Sequence, residues 1–197
     1  MDKCLILFVE GETEVEFYKR VIEEARIKMP EKRFETRIET KNVGGVGNFK
    51  NDVLRKFKKE LKPKYGDETE YTVVLCSDTD VFEFSQNPPI KWKEVIKSLE
   101  DAGVKKVIHI QAKHSIEDWF LLDAEGIISF LKLPKKTKIP SGGTGYQKLK
   151  KLYSNANNMY YKGMKSNGMI AKLDLDKITK SIEKEIKPLY KVLGLKM

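Results

Sequence analysis

An α/β fold with a mostly parallel central sheet of about four strands flanked by helices is what this 197-residue sequence predicts. Three observations carry that expectation. Four short β-rich runs alternate with helical patterns, the first and third runs are almost wholly apolar, and acidic clusters follow both of those runs. Alternation of strand and helix implies βαβ units and a parallel sheet covered on both faces. The length suits one domain with a real core.

The first strand covers residues 4–9 (CLILFV) and runs into Glu10, Gly11, Glu12, Thr13, Glu14 and Glu16. A helix over 14–28 gathers Val15, Tyr18, Val21, Ile22 and Ala25 on one stripe. Thr13 with Glu16 has the T-x-x-E form of a capping box, which puts Glu14 at the first helical position and leaves Glu12 facing solvent. Gly11 allows a sharp turn between Glu10 and Glu14. The second strand, 34–41 (FETRIETK), alternates as an edge strand does. Gly44, Gly45 and Gly47 (GGVGN) then precede a basic amphipathic helix over 49–61, where backbone N–H groups can cradle a phosphate or simply form a turn.

The third strand, 71–76 (YTVVLC), leads into Ser77, Asp78, Thr79 and Asp80, followed by a helix over 90–102 and a fourth strand at 104–110 (VKKVIHI). Residues 115–133 read as one long helix or a pair broken near Gly126, with Ser115 and Asp118 as an S-x-x-D cap and Trp119, Phe120, Leu121 and Leu122 as core. His114, beside that cap, is a candidate base with a plainer structural reading. A loop-rich stretch with Pro134, Pro140 and SGGTG follows, and a helix near 175–193, bent or ended by Pro188, closes the chain.

The net charge of +9 is concentrated in one segment. Residues 126–173 hold no Asp or Glu, but they hold Lys132, Lys135, Lys136, Lys138, Lys148, Lys150, Lys151, Lys162, Lys165 and Lys172. Tyr146, Tyr153, Tyr160 and Tyr161 are interleaved with them. Lysines among aromatics suit phosphate contacts with base stacking, so this segment is expected to meet DNA or RNA. Cys4 and Cys76 lie in apolar runs without metal-ligand spacing and read as reduced core residues. With an N-terminal apolar run only a strand long and no stretch of ~18 apolar residues, a cytoplasmic protein without membrane contact is expected.

In an open parallel sheet, ligand chemistry gathers at the carboxyl ends of the strands, where both acidic clusters fall. Converging carboxylates stay ionised together only with a cation among them, and oxygen donors without nearby His or Cys select Mg²⁺ or Mn²⁺.

These residues carry a family resemblance. VEGETE followed tens of residues later by a strand ending in DxD resembles the Toprim domain of topoisomerases, primases and OLD-family nucleases, a Rossmann-like fold. E-G-x-x-E looks most like OLD-type and related stand-alone Toprim proteins of phage-defence loci, found beside ABC-type ATPases, and HSIEDWFLL is similar to a segment of RloB-like members. The resemblance implies a catalytic core over 1–125, with 126–197 as a basic helical extension packed on the same domain. It makes Glu10, Glu14, Asp78, Asp80 and Glu117 the ligands of one or two Mg²⁺ or Mn²⁺ ions, with Glu10, Asp78 and Asp80 also catalytic. Lys162, ahead of Lys165, takes the role of a lysine that neutralises the transition-state phosphate.

The expected activity is divalent-metal-dependent cleavage of DNA or RNA, in phage defence with a partner ATPase. Backbone contacts fall to Lys135, Lys136, Lys138, Lys148, Lys150, Lys151, Tyr160, Tyr161 and Lys165. The alternative is a Toprim effector or sensor subunit, silent alone, that binds nucleic acid or an ABC-type ATPase. A more distant reading is phosphotransfer or glycosyl transfer at the DxD. SGGTGYQK lacks the G-x-x-x-x-G-K-[ST] order, so any nucleotide-driven step is expected to need a separate protein.

Overall fold

The computed structural model describes residues 2–29, 36–79 and 90–195. Four strands, β1 (Lys3–Val9), β2 (Thr36–Asn42), β3 (Glu70–Asp78) and β4 (Lys106–Ala112), form an all-parallel sheet in the order β2-β1-β3-β4. β1 and β2 are joined through α1 (Glu12–Lys28). Between β2 and β3 lies α2 (Phe49–Lys56), which continues through a π-helical turn (Phe57–Leu61) into α3 (Lys62–Tyr65). α4 (Trp92–Asp101) precedes β4.

β1 shows why this architecture follows from the sequence. Its side chains alternate between two cores: Leu5, Leu7 and Val9 pack with Phe17, Tyr18 and Val21 of α1, while Cys4, Ile6 and Phe8 pack with Phe49, Val53, Phe57 and Leu99 on the other face. A strand buried on both faces has no polar side, hence its unbroken apolar run. The chain leaves β1 towards β2 and β3 towards β4, with α1 and α4 on opposite faces. The topology therefore switches direction between the carboxyl ends of β1 and β3, where such sheets open a crevice.

The rest of the chain builds on the α1 face. It comprises α5 (Ile116–Phe120), a 3₁₀ turn (Leu121–Asp123), α6 (Ala124–Phe130), α7 (Gly145–Asn155), a second 3₁₀ turn (Met164–Ser166), α8 (Asn167–Ile170), α9 (Leu175–Ser181) and α10 (Glu183–Val192). Ile127, Leu149, Leu152, Ile178, Ile186 and Leu189 share one core with β1 and α1. No helix among the described residues is long and apolar enough to cross a membrane.

Several expected boundaries move. β3 runs on through Ser77 and Asp78, because β4 continues to pair with it there (Ser77 with Gln111, Asp78 with Ala112). The break in 115–133 falls at the 3₁₀ turn and not at Gly126. Asp123 causes it: its carboxylate accepts the Gly126 N–H (3.3 Å), capping α6, and the Asp174 N–H (2.8 Å). Leu122 is exposed, unlike its buried neighbours Trp119 and Phe120. The last helix divides at Ile182 (φ −108°, ψ 28°), while Pro188 sits within α10.

The capping box that the sequence does contain, left there within a loop, is Thr144 with Gln147 at the start of α7. That start is tightly docked on α5: a β-carbon on Gly145 would lie 2.6 Å from the Asp118 backbone nitrogen and 2.7 Å from its carboxylate. Gly145→Ala is expected to cost about 1–3 kcal/mol by overpacking. Gly168→Ala, whose β-carbon would meet Phe130 at 3.7 Å, should be near neutral in the same thermal melts.

Candidate functional site

The crevice at the ends of β1 and β3 is built by backbone hydrogen bonds that side-chain carboxylates complete. Glu10 directly follows β1. Its carbonyl accepts the Gly45 N–H (2.8 Å), and its Oε1 accepts the Asp78 N–H (2.7 Å) on the neighbouring strand. Asp78 in turn accepts the Ile116 N–H on Oδ1 (3.0 Å). One carboxylate thus ties β1 to β3, and the next ties β3 to the first turn of α5. Asp78 caps that helix; Ser115, the expected cap, instead donates to the Asp118 carboxylate (2.8 Å).

Glu14 enters the same space from α1, which begins at Glu12 with Gly11 as its N-cap. Gly11 is in ordinary extended conformation (φ −152°), so it is needed for space and not for a sharp turn: a β-carbon there would come within 3.1 Å of Glu14 Oε2. The expected capping box is absent. Thr13 Oγ1 accepts the Gly163 N–H (2.7 Å) and the Ser166 hydroxyl (3.3 Å), while Glu16 pairs with Arg20. Glu14 is therefore the third residue of α1, not the first, and it is buried within the first turn.

The fourth acid, Glu117, is fully buried on α5. Its Oε1 accepts the Tyr160 hydroxyl (3.2 Å) and the Lys162 ammonium (3.1 Å). Its Oε2 is buried and has no hydrogen-bond partner among the described residues. Asp80, the remaining expected ligand, lies outside the described residues.

The electrostatics follow from this crowding. Burial, then the negative charges of Glu10 and Glu14, push the Asp78 carboxyl up to about 9, with Lys162 acting the other way. Burial also raises Glu14, against hydrogen bonds from its own backbone and the Lys162 charge. Burial alone would lower Lys162, but Glu117, Asp78 and Glu14 hold it raised. The Lys162 ammonium thus answers three carboxylates, Glu117, Asp78 and Glu14, with Glu10 beside Asp78, and among the described residues the group is short of positive charge.

A divalent ion fits that deficit. The donors are hard oxygens, and Glu117 Oε2 is a buried acceptor left without a hydrogen bond among the described residues. Among the described residues, no three His, Cys, Asp or Glu side chains are already closed into a metal-binding group.

The basic segment divides into exposed and buried parts. Lys135, Lys136, Lys138, Lys150, Lys151, Lys165 and Tyr161 are exposed and Lys148 is half-buried. Tyr160 corrects the sequence reading: it is buried among Tyr146 and Tyr153, its hydroxyl is spent on Glu117, and its ring is closed to an incoming base. The glycine loop is corrected too. Its Gly44 N–H bonds Asn42 Oδ1 (2.6 Å) and its Gly45 N–H bonds Glu10, so neither is offered to a phosphate.

Sequence reasoning missed Thr13 as the anchor of the 163–166 turn, for which a threonine in a capping pattern is a misleading signal. Tyr146, one of the tyrosines interleaved with the lysines, has a half-buried ring with Lys150 and Lys162 each 5.6 Å from its centroid. On the opposite sheet face, His109 Nε2 is 2.9 Å from Ser77 Oγ and its ring lies 4.0 Å from that of Trp92. Burial lowers that imidazole to about 4, leaving it neutral. The His114 backbone sits at φ 66° with its N–H on Thr79 Oγ1 (2.7 Å).

No family model matches the chain, and no curated protein matches it. Among solved structures it is similar to one described as the ABC domain in complex with L-Trp from Streptococcus pneumonia, at 10% identity and a TM-score of 0.27, covering 92% of this chain and 84% of that one. A likeness at that level carries no argument about fold or function.

Proposed function

We propose that this protein is a divalent-metal-dependent nuclease of Toprim type that cleaves phosphodiester bonds of DNA or RNA. The observation that carries the reading is the gathering of Glu10, Glu14, Asp78 and Glu117 at the topological switch point, with the Lys162 ammonium against Glu117, Asp78 and Glu14. Glu10, Glu14, Asp78 and Glu117 would hold Mg²⁺ or Mn²⁺, with Asp80 as a further candidate beside them in sequence. When bound, such an ion neutralises the cluster, orients a phosphate and makes an attacking water more acidic.

The chain's own groups supply the rest. Glu10 keeps its carboxylate aimed at the end of β3 through the Asp78 N–H, so the two acids stay in fixed relation. Lys162, half-exposed and on a loop tied down at Gly163 and Ser166, brings a cation to the mouth of the site, where it can face a substrate phosphate oxygen. Exposed lysines at 135, 136, 138, 150, 151 and 165 offer phosphate contacts along the backbone of a bound strand. A cytoplasmic setting and a separately encoded ATPase partner belong to the same proposal through the family resemblance.

Purified protein is expected to nick plasmid DNA or degrade RNA with Mn²⁺ or Mg²⁺ and to stop when EDTA is added. Cleavage that continues in EDTA would overturn the metal-dependent reading. Nucleic-acid binding without cleavage in either metal would favour the silent effector subunit instead.

A further inference from the structure

The segment carrying Lys162 has two faces. Tyr160 is buried, and its hydroxyl and the Lys162 ammonium both reach Glu117. The residues between and before them point elsewhere: Met159 is 65% exposed and Tyr161 43%, two of the few large apolar side chains that the described residues leave in water. These two touch each other, with the Tyr161 hydroxyl 3.2 Å from the Met159 sulfur. Lys165 sits over the Tyr161 ring, 4.3 Å from its centroid. The inner face belongs to the acid cluster, and the outer face is an ordered aromatic and thioether surface with a cation against it.

We infer that Met159, Tyr161 and Lys165 form a seat for an unpaired nucleobase, so that the polynucleotide taken by this site is single-stranded or locally unpaired. The inference rests on the nuclease reading for its setting and adds the substrate class. A base presents a flat π-face and an adjoining phosphate, and Tyr161 with Lys165 offers the complement to both within four residues. A duplex presents its phosphates outwards and keeps its base faces stacked inside, so it has nothing to lay on the ring. The charge of the segment suits a nucleic-acid occupant: residues 126–173 hold ten lysines and no acid. The ring is also held before any base arrives, by the Met159 sulfur at its hydroxyl and the Lys165 ammonium over one face, which lowers the ordering cost of binding. Tyr161 adjoins both residues that reach Glu117, so a base seated on it places its own phosphate within a residue or two of the acid cluster.

The test is fluorescence anisotropy with labelled oligo(dT) and oligo(U) strands and a hairpin duplex of equal length, in EDTA at one fixed salt concentration. Binding alone is read, so failure of the nuclease reading leaves the result standing, and the reverse also holds. The single strands are expected to bind more tightly than the duplex. Tyr161→Ala should weaken them about tenfold, in keeping with the value of one base–aromatic stack, while Tyr161→Trp preserves affinity and the duplex changes less than about twofold. Tyr161 is exposed, so the variants should keep the wild-type melting temperature. Unchanged single-strand affinity in Tyr161→Ala, equal affinity for duplex and single strand, or no oligonucleotide binding at all would each overturn the inference; the first would leave the patch to some other occupant, such as a protein.

Discussion

Asp78→Asn is expected to lower Mn²⁺-dependent cleavage at least about a hundredfold, on the order of what one electrostatic group at a reacting centre contributes, while leaving the metal-free protein at least as stable as wild type. The two effects have opposite signs for one reason. Asp78 is buried beside Glu10 and Glu14, so its negative charge is unfavourable until a cation arrives. Asparagine keeps the Oδ1 acceptor that the Ile116 N–H needs and keeps the side-chain volume, so the cap on α5 survives. It replaces the other oxygen by an amide nitrogen, so the side chain can no longer ionise.

The same substitution should change how stability depends on pH. Asp78 is raised to about 9 in the folded chain, against ~3.9 when unfolded, so between those values the folded state holds a proton that the unfolded state has released. Its contribution is therefore fully present below about pH 4 and is lost as pH rises through about 9, by up to about 1.4 kcal/mol per pH unit. Glu14, also raised, acts in the same direction. Melts in EDTA from pH 5 to pH 9 should show a falling stability in wild type and a flatter profile in Asp78→Asn. A variant that cleaves normally, or one whose pH profile matches wild type, would remove Asp78 from the centre of the site.

The parts of this site that the sequence made legible are those governed by local pattern. Residues 4–9 and 71–76 could be read as central strands because a strand covered on both faces must be apolar throughout, and the acids that follow them had to fall at the carboxyl ends. Glu10, Glu14 and Asp78 were nameable for that reason, together with the family resemblance, and Glu117 through the resemblance. What stayed hidden depends on partners distant in sequence. Thr13 satisfies the N–H of Gly163, 150 residues away, so its pairing with Glu16 in a T-x-x-E pattern was a coincidence of spacing. Tyr160 looked like its exposed neighbour Tyr161, since nothing local shows that Glu117 lies within reach of one hydroxyl and not the other. The third strand was expected to end at Cys76 with its apolar run, but pairing with Gln111 and Ala112 keeps Ser77 and Asp78 in it. Helix breaks followed the same logic: Asp123 divides α5 from α6 because it also holds the Asp174 N–H, a contact that no window around Gly126 contains.

Lys162→Met should destabilise the metal-free protein by about 2–3 kcal/mol at neutral pH, because it strands a buried carboxylate. Glu117 is wholly inaccessible to water, and its Oε1 is shared between the neutral Tyr160 hydroxyl and the Lys162 ammonium. Removing the ammonium leaves the tyrosine hydroxyl as its partner, while Oε2 has none among the described residues. Lys162 itself is half-exposed, so its own desolvation offsets little of the loss; methionine retains most of the packing of its stem. For a chain of this size, 1 kcal/mol is worth about 2–4 °C, so a fall in melting temperature of about 4–12 °C is expected in EDTA. Mn²⁺ separates this from a simple packing defect. If Glu117 holds the ion, as proposed, ion and ammonium would compete for one carboxylate, and saturating Mn²⁺ should raise the melting temperature more in Lys162→Met than in wild type, narrowing the gap between them. An equal Mn²⁺ shift in both proteins would mean that the lysine and the ion do not share Glu117. A melting temperature unchanged in EDTA would mean that the buried carboxylate is satisfied without the lysine.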